Sequence, residues 1–212
     1  MTNTAAEFAR ALEMYAPRYD VQLLPATVAR LTSYFELVGA WNARLHLVAP
    51  CAPAEFATRH VLESLVALRF LSMNAHVVDV GSGAGLPIIP CLIVRPDLRA
   101  TVIEAATKKA VFLREALSRL ELRARAQVLA KRFELTDAPA ADFLTCRALE
   151  RFTEMLPALI NWSSPASTLL LFGGPVLRDK IEQLALAYDA VQLPETERRF
   201  LFRITRDQNK TG

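Results

Sequence analysis

Residues 76–90 read His-Val-Val-Asp-Val-Gly-Ser-Gly-Ala-Gly-Leu-Pro-Ile-Ile-Pro, and no other stretch restricts the fold as tightly. An apolar run closes on Asp79, glycines follow at Gly81, Gly83 and Gly85, and Pro87 stands where a first helical turn would begin. Strand, glycine turn and helix start form the unit by which an α/β protein brings its backbone against a nucleoside cofactor. The dinucleotide fingerprint is G-x-G-x-x-G. Here the spacing is G-x-G-x-G, and position 86 is Leu. An acid two residues before the first glycine, without the pyrophosphate pattern, points to S-adenosylmethionine rather than NAD.

Downstream residues support that reading. Ala100-Thr-Val-Ile-Glu104 reads as a second buried strand closing on an acid, 19 residues after Gly85. This is close to the interval of roughly 20 residues at which a carboxylate meets a ribose hydroxyl. After residue 75 short apolar strands alternate with helices. Strands are expected near 76–80, 100–104, 126–130, 141–146 and 167–172, and helices near 87–95, 107–121, 150–160 and 176–189. Such alternation requires parallel strands with helical crossovers, hence a doubly wound α/β sheet. The tail has a different pattern. Val191-Gln-Leu-Pro and Arg199-Phe-Leu-Phe-Arg-Ile-Thr205 have no helical stretch between them, so an antiparallel terminal hairpin is expected. The Rossmann-like arrangement this makes is that of class I methyltransferases.

Residues 5–72 look helical. Pro25 is placed to open a helix, and Val28, Leu31, Phe35, Val38 and Trp41 recur at intervals of three and four. A second stripe after Pro53 holds Val61, Leu62, Leu65, Leu68 and Leu71. The expected organisation is an N-terminal helical cap, residues 1–72, on a methyltransferase domain, residues 73–212, as one structural unit. The 212 residues are 52% hydrophobic, yet no apolar run reaches the roughly 18–20 residues that span a bilayer. Met1-Thr-Asn-Thr lacks the basic and apolar regions of a secretory signal. Cys51, Cys91 and Cys146 are odd in number and show no CxxC spacing, which argues for free thiols in a reducing cytoplasm and against a zinc framework. No metal site, membrane association or obligatory protein partner is expected.

The net charge of +3 is unevenly placed. Between Arg95 and Arg132, ten Lys/Arg face four acids. Such a run serves either as a solvated helix face or as a surface for nucleic-acid phosphates.

Several of these residues together resemble one family, the small-ribosomal-subunit RNA guanine-N7 methyltransferases (RsmG, also called GidB). Trp41-Asn42, Arg59-His60-Val-Leu-Glu-Ser64 and Asp79-Val-Gly-Ser-Gly-Ala-Gly-Leu-Pro87 carry the resemblance. So do Val94-Arg-Pro96, Lys108-Lys109 with Phe112-Leu113, and Cys146-Arg147-Ala148. It covers most of the chain from about residue 28. It implies that Gly81 and Leu86 contact the cofactor, Glu104 holds the ribose, Phe133 and Glu134 bracket the adenine, and Arg147 sits where cofactor meets substrate. Phe133 reads equally well as an ordinary core aromatic. Arg59, His60, Lys108, Lys109, Arg147 and Arg199 are the residues expected to meet ribosomal RNA or the small subunit. The chain departs from the family at His46 and Val48 (Asn-Leu-Thr is common), at Glu63 (Asp) and at Gly173, where a lysine precedes glycine. Guanine N7 has a free lone pair, so the chemistry requires no general base. Two alternatives stay open: a class I methyltransferase acting on another RNA or a small molecule, and a catalytically weakened RNA-binding paralogue.

Overall fold

The computed structural model describes residues 3–147 and 149–206. Ala148 of the Cys146-Arg147-Ala148 signature lies outside them, as do Met1, Thr2 and residues 207–212 of the expected domain limits. The chain opens with helix α1 (Asn3–Tyr15) and a short turn, Ala16–Tyr19, before α2 (Pro25–Leu45). Pro25 occupies the first turn of α2, where its fixed φ suits a helix and its missing N–H leaves no bond unmade. A third helical stretch runs from α3 (Pro53–Glu55) through a π-helical segment, Phe56–Leu62, to α4 (Glu63–Leu65) and a final turn, Val66–Arg69. Of the α2 stripe, Val28, Leu31 and Val38 are buried, as is Tyr34, while Phe35 and Trp41 pack at its border.

From residue 76 the alternation holds. The strands are β1 (His76–Val80), β2 (Arg99–Ile103), β3 (Ala126–Leu129), β4 (Phe143–Cys146) and β5 (Thr168–Gly173). The helices between and after them are α5 (Ile88–Val94), α6 (Thr107–Arg119), α7 (Phe152–Trp162) and α8 (Pro175–Gln183). The expected helix over 176–189 ends early. Ala185 takes a left-handed φ of 51°, and the chain turns into β6 (Tyr188–Gln192). Leu184, Leu186 and Tyr188 alternate with the small Ala185 and Ala187, a period of two that suits a strand, and all three pack on the core. β7 (Phe200–Ile204) then pairs antiparallel with β6 on one side and β5 on the other, completing the expected hairpin.

The seven strands lie in the order β3-β2-β1-β4-β5-β7-β6. Successive residues of each strand serve opposite faces. Val77, Ala100, Val102, Leu170 and Phe172 join the core shared with the N-terminal helices, α5 and α6. Val78, Val80, Ile103, Leu169 and Leu171 join a second core with α7, α8 and the hairpin. A sheet covered on both faces explains why its strands read as unbroken apolar runs. Strand order reverses direction between β1 and β4, and in open α/β sheets that switch point, at the carboxyl ends of the strands, is where ligands bind.

Candidate functional site

A cavity of about 640 Å³ opens at this switch point. Gly81, Gly83, Leu86, Glu104, Phe133, Glu134 and Arg147 all line it, as do His60 and Lys109. Asp79 and Gly85 stand behind the wall, and Arg59, Lys108 and Arg199 lie outside it.

The loop after β1 is shaped by its glycines. Gly81, Gly83 and Gly85 have φ of 69°, 56° and 88°, a region that L side chains rarely adopt. A Cβ on Gly85 would also stand 2.3 Å from Ile89 Cδ1, so this glycine lets α5 start directly beneath the loop. Gly81 N–H donates to Ile103 O at 2.9 Å, fastening the loop to the end of β2. The Glu104 carboxylate ties it down from the other side. One oxygen accepts Gly83 N–H and the other Ala106 N–H, each at 2.8 Å. Each oxygen keeps a second acceptor site for a ligand hydroxyl.

Asp79 is fully buried. The register sets it opposite Thr145 on β4, whose hydroxyl donates to Asp79 Oδ1 at 2.7 Å. Burial pushes its carboxyl up to about 7, opposed by the Thr145 hydrogen bond and the neighbouring Ser82 hydroxyl. Phe133 is buried and meets Trp162 edge-on at 5.4 Å, so it serves the core and the cavity wall at once. Glu134 pairs with Arg132, which holds its carboxyl below the usual range.

The opposite wall comes from the cap. Tyr34 donates its hydroxyl to Ala84 O at 2.8 Å, joining α2 to the glycine loop. Asn42 holds Val48 in the cavity wall by bonding both its N–H (3.0 Å) and its carbonyl (3.1 Å). Arg147 lies immediately after β4 and is turned into the cap. Its terminal nitrogens donate to Arg59 O, His60 O, Ser64 Oγ and Glu63 Oε2. Four of its five N–H groups are thereby committed. Glu63, only 1% exposed, takes Arg147 on one oxygen and both Nε and a terminal nitrogen of Arg199 on the other. Arg59 pairs with Glu55 on its own helix, and Arg199 serves the Glu63 junction.

Sequence reasoning missed Tyr34, Thr145, the burial of Glu63, and a rim of Lys131, Arg132, Glu150 and Arg151 on the cavity. The charge run over 95–132 held part of the rim signal, but the run divides. Arg95 clasps Asp97, Arg125 donates to the carbonyls of Leu92, Arg95 and Leu98, and Arg119 pairs with Glu115. Lys109, Lys131 and Arg132 are the members that reach the cavity. Two family departures acquire physical accounts. His46 caps α2 with φ 47°, a conformation in which Asn and His are both enriched. A Cβ on Gly173 would come within 2.4 Å of Leu177 Cδ2, so α8 packs where a longer residue would force it away.

The residues fit S-adenosylmethionine. The loop brings bare backbone to the cavity, Glu104 keeps acceptor capacity, Phe133 offers an aromatic surface, and the volume is ordinary for such a ligand. Sheet order, antiparallel β7 and this cavity define a class I S-adenosylmethionine-dependent methyltransferase. Among solved structures with this fold, mitomycin 7-O-methyltransferase MmcR aligns with a TM-score of 0.61 at 17% identity, over 96% of this chain and 68% of that one. Pyrococcus horikoshii TYW2 in complex with MeSAdo aligns with a TM-score of 0.55 at 14% identity, over 70% of this chain and 63% of that one.

Sequence comparison carries the assignment further. The chain belongs to the GidB family, described as rRNA small subunit methyltransferase G, whose model matches residues 27–205. The ribosomal RNA small subunit methyltransferase G of Xanthomonas euvesicatoria pv. vesicatoria is 39% identical over 160 residues, 75% of this chain and 74% of that protein. The protein of the same name from Anaeromyxobacter dehalogenans is 36% identical over 151 residues, 70% of each.

Proposed function

We propose that this enzyme transfers the methyl group of S-adenosylmethionine to guanine N7 in small-subunit ribosomal RNA. The observation that carries the reading is the cavity itself, with a cofactor cradle on its sheet side and Lys109, Lys131, Arg132 and Arg151 along its wall. When bound, the cofactor supplies an electrophilic sulfonium methyl. The chain's residues have to align a nucleophile with it and exclude competing geometry. Gly81, Gly83 and Leu86 form the floor of the cradle, Glu104 meets the ribose, and Phe133 and Glu134 flank the adenine. Lys109 and Lys131 face the phosphates of an RNA strand, with Lys108 extending that surface along α6. Guanine N7 has no proton to lose, and the wall suits this: Asp79 is shut behind the loop, and His60 is held neutral. A ribosomal RNA substrate and unpaired cysteines support a cytoplasmic setting.

Tritiated methyl transfer to 30S subunits and to naked ribosomal RNA, with mass mapping of the product, tests the reading. Label at guanine N7 of the small-subunit RNA is expected, with affinity falling steeply as salt rises. Label at another position or in a small molecule would favour a class I methyltransferase of different substrate. No label, with cofactor binding intact, would favour a weakened RNA-binding paralogue.

A further inference from the structure

His60 has an arrangement that the cofactor cradle does not require. It sits in the π-helical segment Phe56–Leu62, a wound-out turn of a kind frequent at functional sites. The residue lines the cavity on the cap side, and its ring leans on Phe56 at 5.1 Å. Among the described residues neither ring nitrogen has a hydrogen-bond partner, whereas its backbone carbonyl has two, Arg147 and Ser64. The residue is therefore clamped by its backbone and free at its functional end. Burial, with Arg147, Arg59 and Arg199 nearby, lowers the imidazole to about 3, so it stays neutral with one N–H donor and one acceptor. Arg147, the other polar residue on this wall, has its terminal nitrogens committed to holding that turn.

Resting on the guanine reading above, we propose that His60 is a specificity-determining residue that donates one ring N–H to O6 of the target guanine, with Arg147 as the positioning residue that fixes it there. O6 adjoins N7 on the same base edge, and adenine carries an amino donor at that place. A single donor aimed at O6 accepts guanine, opposes adenine and leaves the N7 lone pair free.

The test compares wild type, His60→Phe and His60→Gln on small-subunit RNA carrying guanine, or 2-aminopurine (which lacks O6), at the nucleotide that wild type methylates. Phe keeps the ring packing on Phe56 without a donor, and Gln restores an N–H. On guanine RNA, His60→Phe should lower kcat/KM about 10- to 30-fold. His60→Gln should recover most of that, with S-adenosylmethionine affinity by calorimetry unchanged for both. Wild type should lose a similar factor on 2-aminopurine RNA, and His60→Phe should lose nothing further, because both changes remove one contact. Full activity of His60→Phe on guanine, or losses that simply add, would overturn the proposal. Failure of wild type to methylate any guanine would overturn the functional reading instead, so the two remain distinguishable.

Discussion

The cavity has two walls of opposite construction. The sheet wall is local: Gly81, Gly83, Leu86 and Glu104 come from one strand–turn–helix unit and the strand beside it, and their bonds run backbone to backbone or carboxylate to backbone. The cap wall is assembled across the chain: a π-helical turn and the residue after β4 are joined at the buried Glu63, which Arg199, just before β7, holds from outside the cavity. The first wall shapes a ligand site in which the buried Asp79 and Glu104 bond hydroxyl or backbone donors rather than opposite ions. The second concentrates charge to hold an element in place. Geometry made by backbone tolerates few substitutions, whereas geometry made by ion pairs depends on every partner being present.

Glu63→Gln should have the largest effect, because it leaves Arg147 and Arg199 without their carboxylate. Breaking such a pair costs about 3 kcal/mol or more. Thermal unfolding should show a fall in Tm of about 10 °C, whereas a fall under about 2 °C would mean that the junction is ornamental to the fold. Glu104→Gln strikes the other wall. Only one amide oxygen remains for Gly83 N–H and Ala106 N–H, and calorimetry should show cofactor affinity weakened about 30-fold with Tm lowered by only about 3 °C. An equal loss of stability in both variants would erase the distinction between the walls. Tyr34→Phe cuts the bond joining cap to loop and should cost about 1 kcal/mol by denaturant unfolding.

A further effect depends on pH. The Asp79 carboxyl titrates near 3.8 when unfolded and near 7 when folded. Its contribution to stability is whole below about pH 4, declines as pH rises from 4 to 7, and stays lost above that. Asp79→Asn should abolish that slope and raise Tm by about 2–5 °C at pH 8 while leaving it unchanged at pH 4. A gain at pH 4 would show that the carboxyl is not the source.

The same division decides what could be read from the sequence. Asp79, the three glycines and Glu104 were legible because their spacing is their geometry: a strand, a tight turn and the next strand leave little freedom. The strands of residues 76–173 were legible because both faces of the sheet are covered, so each strand is an apolar run. The end of α8 was not, because Leu184, Leu186 and Tyr188 continue the apolar content of a helix while changing its period. Arg147 could be placed at a strand end, but nothing local indicates that its nitrogens turn to Arg59, His60 and Glu63 rather than to a ligand. Tyr34 was masked by Phe35 beside it in the same stripe. The charge run over 95–132 stayed open between two readings for a related reason: Arg125 and Arg95 spend their donors on carbonyls that only the folded chain brings near.

The Glu63 junction also sets an order on biosynthesis. Its first counter-ion lies 84 residues downstream and its second 136. At about 5–20 residues per second, the ribosome makes Arg199 roughly 7–27 s after Glu63. Until then the emerging cap carries a carboxylate that it cannot enclose. A nascent or truncated chain that stops before the final hairpin therefore advertises its incompleteness at the cap, the part that was made first.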